Sequence, residues 1–132
     1  MAMPLLYSII ESPGHPNLSG LYRRLCIDEL RLASQRKAIQ ALTRSPPDWV
    51  VAEFFYGFGN NYAGSNISNL DVFLSALERH APGARTIVLV EKAQRGYVEQ
   101  LQERFAIHAV LVQPVDESHM ASVLTGQPSG LD

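Results

Sequence analysis

Three glutamates and one glutamine follow apolar runs of this chain. Glu11, Glu53 and Glu91 each end a run typical of a buried strand, and Gln113 follows a fourth run. In a parallel α/β sheet the carboxyl ends of the strands meet at one edge, where such folds place their binding sites. We therefore expect the four side chains to lie close together. Three neighbouring carboxylates would repel one another and raise at least one pKa, unless a cation lies between them.

The strands that must position these side chains are short and bounded by turn residues. The first run is followed by Ser12-Pro13-Gly14-His15, in which we expect His15 to have a surface or structural role. The pair Pro46-Pro47 precedes the third strand. Strands are predicted over residues 5–10, 29–33, 49–52, 86–90 and 108–112, of which 29–33 is the least regular.

Segments with apolar residues at helical spacing separate these strands. Ser34 and Asp116 are placed to cap the second and last helices, and Ser68 with Asp71 is typical of a capping box. The predicted inward faces are Leu18, Leu21, Tyr22 and Leu25; Ala38, Ile39, Ala41 and Leu42; Leu70, Phe73, Leu74 and Leu77; Tyr97, Val98, Leu101 and Phe105; and Met120, Val123 and Leu124. The alternation predicts an α/β fold whose parallel sheet is covered on both faces. One domain over residues 1–125 and a flexible tail over 126–132 are expected.

The composition favours a soluble intracellular domain. The chain has 132 residues, 46% of them hydrophobic, and a net charge of −2, so no basic excess points to nucleic acid. The one cysteine, Cys26, allows no internal disulfide, and its place on an apolar helical face predicts burial. No apolar run approaches the roughly 20 residues that span a bilayer, and no secretory signal is visible. We therefore expect a cytoplasmic location and no membrane partner.

Residues 54–65 form a segment rich in aromatic residues and glycine. Exposed aromatic side chains often anchor protein partners, which makes Phe55, Tyr56, Phe58 and Tyr62 partner-binding candidates. The alternative is that Phe54 and Phe58 fold back onto the core while the rest covers the neighbouring pocket. The segment has no interleaved lysine or arginine, which argues against single-stranded nucleic acid.

The order of elements and the strand ends resemble the receiver domain of two-component response regulators over roughly residues 4–124. The family has Pro-Asp, an apolar strand and the phospho-accepting Asp, and this chain has Pro47-Asp48 and Glu53 at the same spacing. Glu91 replaces the family's Thr or Ser, and Gln113-Pro114 replaces its Lys-Pro. The resemblance implies a flavodoxin-like (CheY-like) doubly wound sheet of five parallel strands in the order 2-1-3-4-5, with helices on both faces.

Each departure from the family's pattern removes a part of phosphoryl transfer. The family binds Mg²⁺ with an acidic pair and the accepting Asp, and it binds the phosphoryl oxygens with the Lys and the hydroxyl. Here the pair is Glu11-Ser12, and Glu53 carries its carboxylate about 1.5 Å farther out than Asp would. Glu91 adds an anion and Gln113 removes the cation. We therefore interpret these five residues as a degenerate phosphoacceptor pocket and predict that Glu53 is not phosphorylated.

The leading hypothesis is a regulatory domain that acts by protein–protein contact, without phosphotransfer and without a cofactor. Its partner would be a signalling output protein or domain. Receivers often pair through the fourth helix, fifth strand and fifth helix, a face that would here use Tyr97, Gln100, Arg104 and Val110. A homodimer is compatible with that face. Val110 also replaces the family's switching aromatic residue, so the usual readout is absent.

Other interpretations stay open at this point. Glu11, Glu53 and Glu91 could hold a divalent cation for hydrolase chemistry, Glu11 and Glu53 being the weak metal-ligand candidates, or they could bind Lys92 or a partner's Arg or Lys. No nucleophile or histidine dyad accompanies them. A flavin-binding module follows from fold analogy alone. The glutamates could also have drifted after the site fell idle, or Glu53 could imitate a phosphorylated carboxylate.

Overall fold

The computed structural model describes residues 3–57 and 67–126. The strands are β1 (Leu5–Ile9), β2 (Asp28–Leu32), β3 (Trp49–Glu53), β4 (Arg85–Val90) and β5 (Ala109–Val112). The helices are α1 (Ser19–Arg24), α2 (Gln35–Ala41), α3 (Asp71–His80), α4 (Arg95–Arg104) and α5 (Glu117–Thr125). A helix follows each strand, and a short 3₁₀ turn (Lys92–Gln94) precedes α4.

The five strands form one parallel sheet in the order β2-β1-β3-β4-β5, which confirms the predicted flavodoxin-like topology. Tyr7 of β1 lies opposite Val50 of β3, and Glu53 of β3 lies opposite Leu89 of β4. The chain reverses its direction of travel across the sheet between β1 and β3, and folds of this class bind ligands at that point. The topology therefore places Glu11 beside Glu53.

Two apolar clusters cover the two faces of the sheet. Helices α2, α3 and α4 pack on one face, and α1 and α5 pack on the other. Strand β3 is buried throughout, and β4 is buried except at Arg85, so both read as continuous apolar runs. Strand β2 lies at an edge and is fully buried only at Leu32, which explains its less regular sequence.

The predicted helix caps are present. The side chains of Ser34 and Asp116 accept hydrogen bonds of 3.1 Å and 2.7 Å from backbone N–H groups three residues later. At the start of α3, Asp71 Oδ1 accepts the N–H of Ser68 at 2.6 Å, whereas the Ser68 hydroxyl accepts the N–H of Leu70. The half of the capping box in which Asp71 accepts from Ser68 therefore forms, whereas the Ser68 hydroxyl accepts from Leu70 and not from Asp71. Among the described helices, none is long and apolar enough to span a membrane.

The burial predicted for Cys26 is wrong. Helix α1 ends at Arg24, and Cys26 is exposed, with a left-handed φ of 59°. Its N–H donates to the carbonyl of Arg23 at 3.1 Å, so this residue lies in the turn that closes the helix and not on its apolar face. The tail predicted from residue 126 begins with Gly126, the cap of α5, while residues 127–132 lie outside the described part of the chain.

Candidate functional site

Glu53 ends β3 and is only 1% exposed. Its Oε2 accepts the backbone N–H groups of Glu11 at 2.7 Å and of Ser12 at 3.1 Å. Its Oε1 accepts the Ser12 hydroxyl, and His15 Nδ1 lies 3.4 Å from Oε2. All of these groups belong to residues 11–15, the segment that follows β1. Both oxygens of the Glu53 carboxylate are therefore held by one neighbouring loop.

The turn after β1 directs His15 inward. The N–H of His15 donates to the Ser12 carbonyl at 3.2 Å, and the N–H of Gly14 donates to the Ser12 hydroxyl at 3.1 Å. The His15 side chain is 2% exposed. Its Nδ1 makes no well-directed hydrogen bond but lies within ion-pair distance of the Glu53 carboxylate. His15 is thus a structural residue of this pocket, a role that the isolated histidine in the sequence did not specify.

The environment of Glu53 favours its ionised form. Burial by itself acts to raise the pKa of Glu53, but contact with His15 and the hydrogen bonds from Ser12 and Glu11 outweigh it and lower the pKa below its usual 4.5. The rise expected from crowded carboxylates is therefore wrong for Glu53. Its nearest polar neighbours are N–H and O–H donors, which stabilise the charge.

The Glu11 side chain is held by two amides. Its Oε1 accepts Gln35 Nε2 and Asn69 Nδ2, each at 2.9 Å. Asn69 also donates to the Glu53 carbonyl at 2.8 Å, and its Oδ1 accepts the N–H of Phe55 at 2.8 Å. Asn69 thus ties the ends of β1 and β3 to the segment after β3. No pattern in the sequence indicates this role, because Asn69 lies within the capping segment of α3.

The other two predicted pocket residues make no hydrogen bond to the Glu53 carboxylate among the described residues. Glu91 is exposed and begins the 3₁₀ turn without a side-chain hydrogen bond to it. Gln113 Nε2 donates to the Gly14 carbonyl at 2.9 Å, so Gln113 reaches the turn after β1 and not Glu53 itself. Within residues 3–57 and 67–126, no three His, Cys, Asp or Glu side chains are arranged to hold a metal ion. Lys92 forms no ion pair with these glutamates in the same ranges.

The residues at this edge do not fit the Mg²⁺ that the resemblance implies. A hard cation requires several oxygen ligands. The Glu53 carboxylate instead faces two N–H groups, a hydroxyl and a histidine ring. The second acid of the family's pair is Ser12, whose hydroxyl is used by Glu53. The groups around the Glu53 carboxylate are hydrogen-bond donors, whereas a metal site needs oxygen atoms with free electron pairs.

A groove lies next to this pocket, with a volume of about 460 Å³. Its described lining residues are Glu11, Phe55, Tyr56, Gly57 and Gln94. The Tyr56 ring stacks on Tyr97 of α4, with centroids 3.9 Å apart and planes inclined by 15°. Phe54 is buried, as one interpretation of the aromatic segment predicted. The other two aromatic candidates, Phe58 and Tyr62, lie outside the described residues.

The residues predicted for the fourth-helix face lie on different flanks of α4. Tyr97 contacts Tyr56, and Arg104 Nη1 lies 3.5 Å from Asp71 Oδ2 of α3. Val110 lines a separate groove of about 360 Å³ between α4 and β5. The residues that share this groove with it are Arg95, Gly96, Val98, Glu99 and Gln102. Residues 95, 99 and 102 are three or four positions apart. Helical spacing in the sequence therefore indicates that these three residues share one flank of α4.

No family model and no curated protein matches this chain. Solved structures do match it. A response regulator receiver domain protein from Clostridium thermocellum is 15% identical, with a TM-score of 0.70, and the match covers 95% of this chain and 93% of that chain. The receiver domain of a Pseudomonas aeruginosa sensor histidine kinase, with magnesium in its active site cleft, is 13% identical, with a TM-score of 0.67 and coverages of 95% and 97%.

A third similar structure belongs to a streptococcal family of redox sensors that evolved from two-component response regulators. It is 13% identical, with a TM-score of 0.72, and the match covers 93% of this chain and 50% of that chain. At these identities the likeness concerns the fold. The chain has the fold of receiver domains, in agreement with its strand order.

Proposed function

We propose that this chain is a receiver-like signalling domain that acts without phosphorylation, through contact with a protein partner. The receiver fold supports a regulatory role. The observation that carries the proposal is the state of Glu53, whose carboxylate occupies the phosphoacceptor position and is bound on both oxygens by residues 11–15.

A phosphoryl group on Glu53 would require several of these interactions to break. Hydrogen bonds to charged groups contribute about 1.5–3 kcal/mol each, so the loss of two or three opposes transfer strongly. The arriving group would also bring negative charge into a pocket where Gln113 supplies none of the positive charge of a lysine. His15 is already placed against the Glu53 carboxylate.

The usual route from the pocket to the surface is also missing. In the family a hydroxyl after β4 and an aromatic residue in β5 respond to the phosphoryl group, and here the corresponding residues are Glu91 and Val110. Glu91 points into solvent, and Val110 is half-buried beside α4. Every described contact of the Glu53 carboxylate comes from the loop after β1. The domain would therefore present one fixed surface to its partner.

The two flanks of α4 offer surfaces for such a partner. One carries the Tyr56–Tyr97 stack, and each of these two rings is 42% exposed. The other is the groove at Val110, which a second copy of the chain could occupy in a homodimer. The streptococcal redox sensors evolved from two-component response regulators, which is a precedent for a receiver-like domain with a different role. Among the described residues, no observation favours the hydrolase or flavin alternative.

The proposal is tested with a phosphoryl donor and an intact-mass measurement. The protein is incubated with acetyl phosphate and Mg²⁺, beside a phosphorylatable receiver domain as a positive control. We expect no mass increase for this chain and a clear increase for the control. A stoichiometric phosphoryl adduct on Glu53 would overturn the proposal.

The interaction part of the proposal needs its own experiment. The full chain and a variant that lacks residues 58–66 are compared as baits, and sedimentation measures whether either is dimeric. Reproducible stoichiometric capture of one protein, or a dimer disrupted by Val110→Asp, is the expected result. A monomer with no partner from its own cells would contradict it.

A further inference from the structure

We infer that the groove lined by Glu11, Phe55, Tyr56, Gly57 and Gln94, here called the edge groove, binds an arginine or lysine side chain of a protein partner. The inference rests on the proposed function, because it specifies the chemistry of that partner. The edge groove has a volume of about 460 Å³, which is ample for one long side chain and the backbone that flanks it.

Glu11 supplies a negative charge that is fixed in place. The two side chains that bind it, Gln35 and Asn69, are neutral amides, and both donate to Oε1. Its Oε2 accepts no hydrogen bond from the described residues. The three ion pairs of residues 3–57 and 67–126 use other acids, namely Glu53, Asp71 and Glu117. The charge of Glu11 is thus positioned without a basic partner in these ranges.

Aromatic rings supply the second feature of a cation site. Tyr56 remains 42% exposed although Tyr97 stacks on it, and Phe55 is a second aromatic residue in the lining. The face of an aromatic ring attracts lysine and arginine through its quadrupole, by about 0.5–1 kcal/mol at exposed sites. A planar guanidinium can stack on a ring and also donate to a carboxylate, which favours arginine over lysine.

The backbone that presents these groups is held by hydrogen bonds. Phe55 exchanges two bonds with Asn69, of 2.8 Å and 3.3 Å. The N–H of Tyr56 donates to Gln94 Oε1 at 3.2 Å, and that of Gly57 donates to the Ile67 carbonyl at 2.8 Å. A site that is ordered before binding loses less conformational entropy when a partner arrives.

The charges around the edge groove agree with a basic ligand. Gln94 donates its N–H to the carbonyl of Glu91 at 2.9 Å, so a second glutamate, which is exposed, lies in the same turn as Gln94. Lys92, the basic residue next to it, is exposed and forms no ion pair with either glutamate among the described residues. Glu53 adds little to the negative potential of the edge groove, because its carboxylate is bound by the donors of the loop after β1.

The test is a titration of the ¹⁵N-labelled full chain with N-acetylarginine amide, followed by NMR. The matched probe is N-acetylcitrulline amide, which has nearly the same shape and no charge. We expect weak binding of the arginine probe, with a Kd on the order of millimolar, and shifts at the amides of Glu11, Tyr56 and Gly57. Citrulline should bind about fivefold or more weakly, and salt should weaken the arginine probe.

Two variants separate the charge from the ring. Glu11→Gln keeps an oxygen acceptor for Gln35 and Asn69 and removes the charge, so it should weaken the arginine probe by about fivefold. Tyr56→Leu should weaken it by about two- to fivefold. Glu103→Gln removes an exposed negative charge on α4 that does not line the edge groove, and it should leave binding unchanged.

Several outcomes would overturn the inference. These are equal binding of citrulline and arginine, an unchanged Kd in Glu11→Gln, or shifts that map away from the edge groove. Concentration-dependent shifts at the same amides without any probe would show that a second copy occupies it. The acetyl phosphate experiment reports on Glu53 and not on this groove, so a failure of this inference can be told apart from a failure of the proposed function.

Discussion

The Nδ1 atom of His15 lies 3.4 Å from Oε2 of Glu53, and both side chains are buried. The loop after β1 thus brings a basic ring to the carboxylate at the end of β3, together with three hydrogen-bond donors. In a receiver domain that carboxylate would face a metal ion and a phosphoryl group. Here the groups that face the carboxylate belong to the loop after β1.

Removal of the Glu53 charge should destabilise the fold. We expect Glu53→Gln to lower the free energy of unfolding by about 2–4 kcal/mol, because the amide cannot accept at both ends from the Glu11 and Ser12 donors. Urea denaturation followed by the fluorescence of the single, buried Trp49 measures this. The control is Glu91→Gln, an exposed position where the change should stay within about 0.5 kcal/mol. Equal effects of the two substitutions would contradict the structure.

The low pKa of Glu53 makes stability depend on acid pH. Because the folded-state pKa lies below the usual 4.5, the contribution of Glu53 is complete above that pH and is lost as the pH falls through the folded-state pKa. The difference in stability between wild type and Glu53→Gln should therefore be largest at neutral pH and shrink in acid below about pH 4.5. Urea midpoints across this range measure it.

A second carboxyl group, that of Asp116, should keep the stability of the Glu53→Gln variant dependent on acid pH. The pKa of Asp116 is also lowered, first by the N–H of His119 and then by the Ser118 hydroxyl. Asp116 is unchanged in Glu53→Gln. The free energy of unfolding of this variant should therefore depend on acid pH less steeply than that of the wild type, but the dependence should not disappear. A difference between wild type and variant that is constant from neutral pH into acid would show that the Glu53 carboxylate is not held as the structure describes.

The Ser12 hydroxyl has two roles in the pocket. It donates to Glu53 Oε1 and accepts the N–H of Gly14 at 3.1 Å. We expect Ser12→Ala to lower the free energy of unfolding by about 1–3 kcal/mol and to raise the pKa of Glu53, which moves the loss of stability to higher pH. Ser118→Ala is the matched control, because its hydroxyl bonds Asp116 at an exposed site and should change stability by about 0.5 kcal/mol or less.

The fold was predictable because its signals are local and repeated. Continuous apolar runs mark β3 and β4, and Ser34 and Asp116 mark helix starts. Strand order then placed Glu11 beside Glu53. Side-chain direction was not predictable in the same way. Glu53 ends β3 and turns to the loop after β1, whereas Glu91 directly follows β4 and turns to solvent. Such choices depend on the approach of His15 and on tertiary hydrogen bonds from Glu11 and Ser12, which no periodicity encodes.

The same limit applies to the surface. Helical spacing places Tyr97 and Arg104 near one stripe of α4, but it does not say which flank faces β5. The structure puts Val110 on the other flank, with Arg95 and Glu99. The stacking of Tyr56 on Tyr97 joins segments about 40 residues apart and has no counterpart in a local pattern.

The central claim is that the loop after β1 closes the phosphoacceptor position. Its most direct test is the ¹⁵N spectrum of the full chain with beryllofluoride and Mg²⁺, followed at the amides of Glu11 and Ser12, which donate to Glu53. We predict that both signals stay unchanged at concentrations that saturate a phosphorylatable receiver domain. Saturable shifts of these two amides that require both reagents would show an open, competent pocket and would contradict the account.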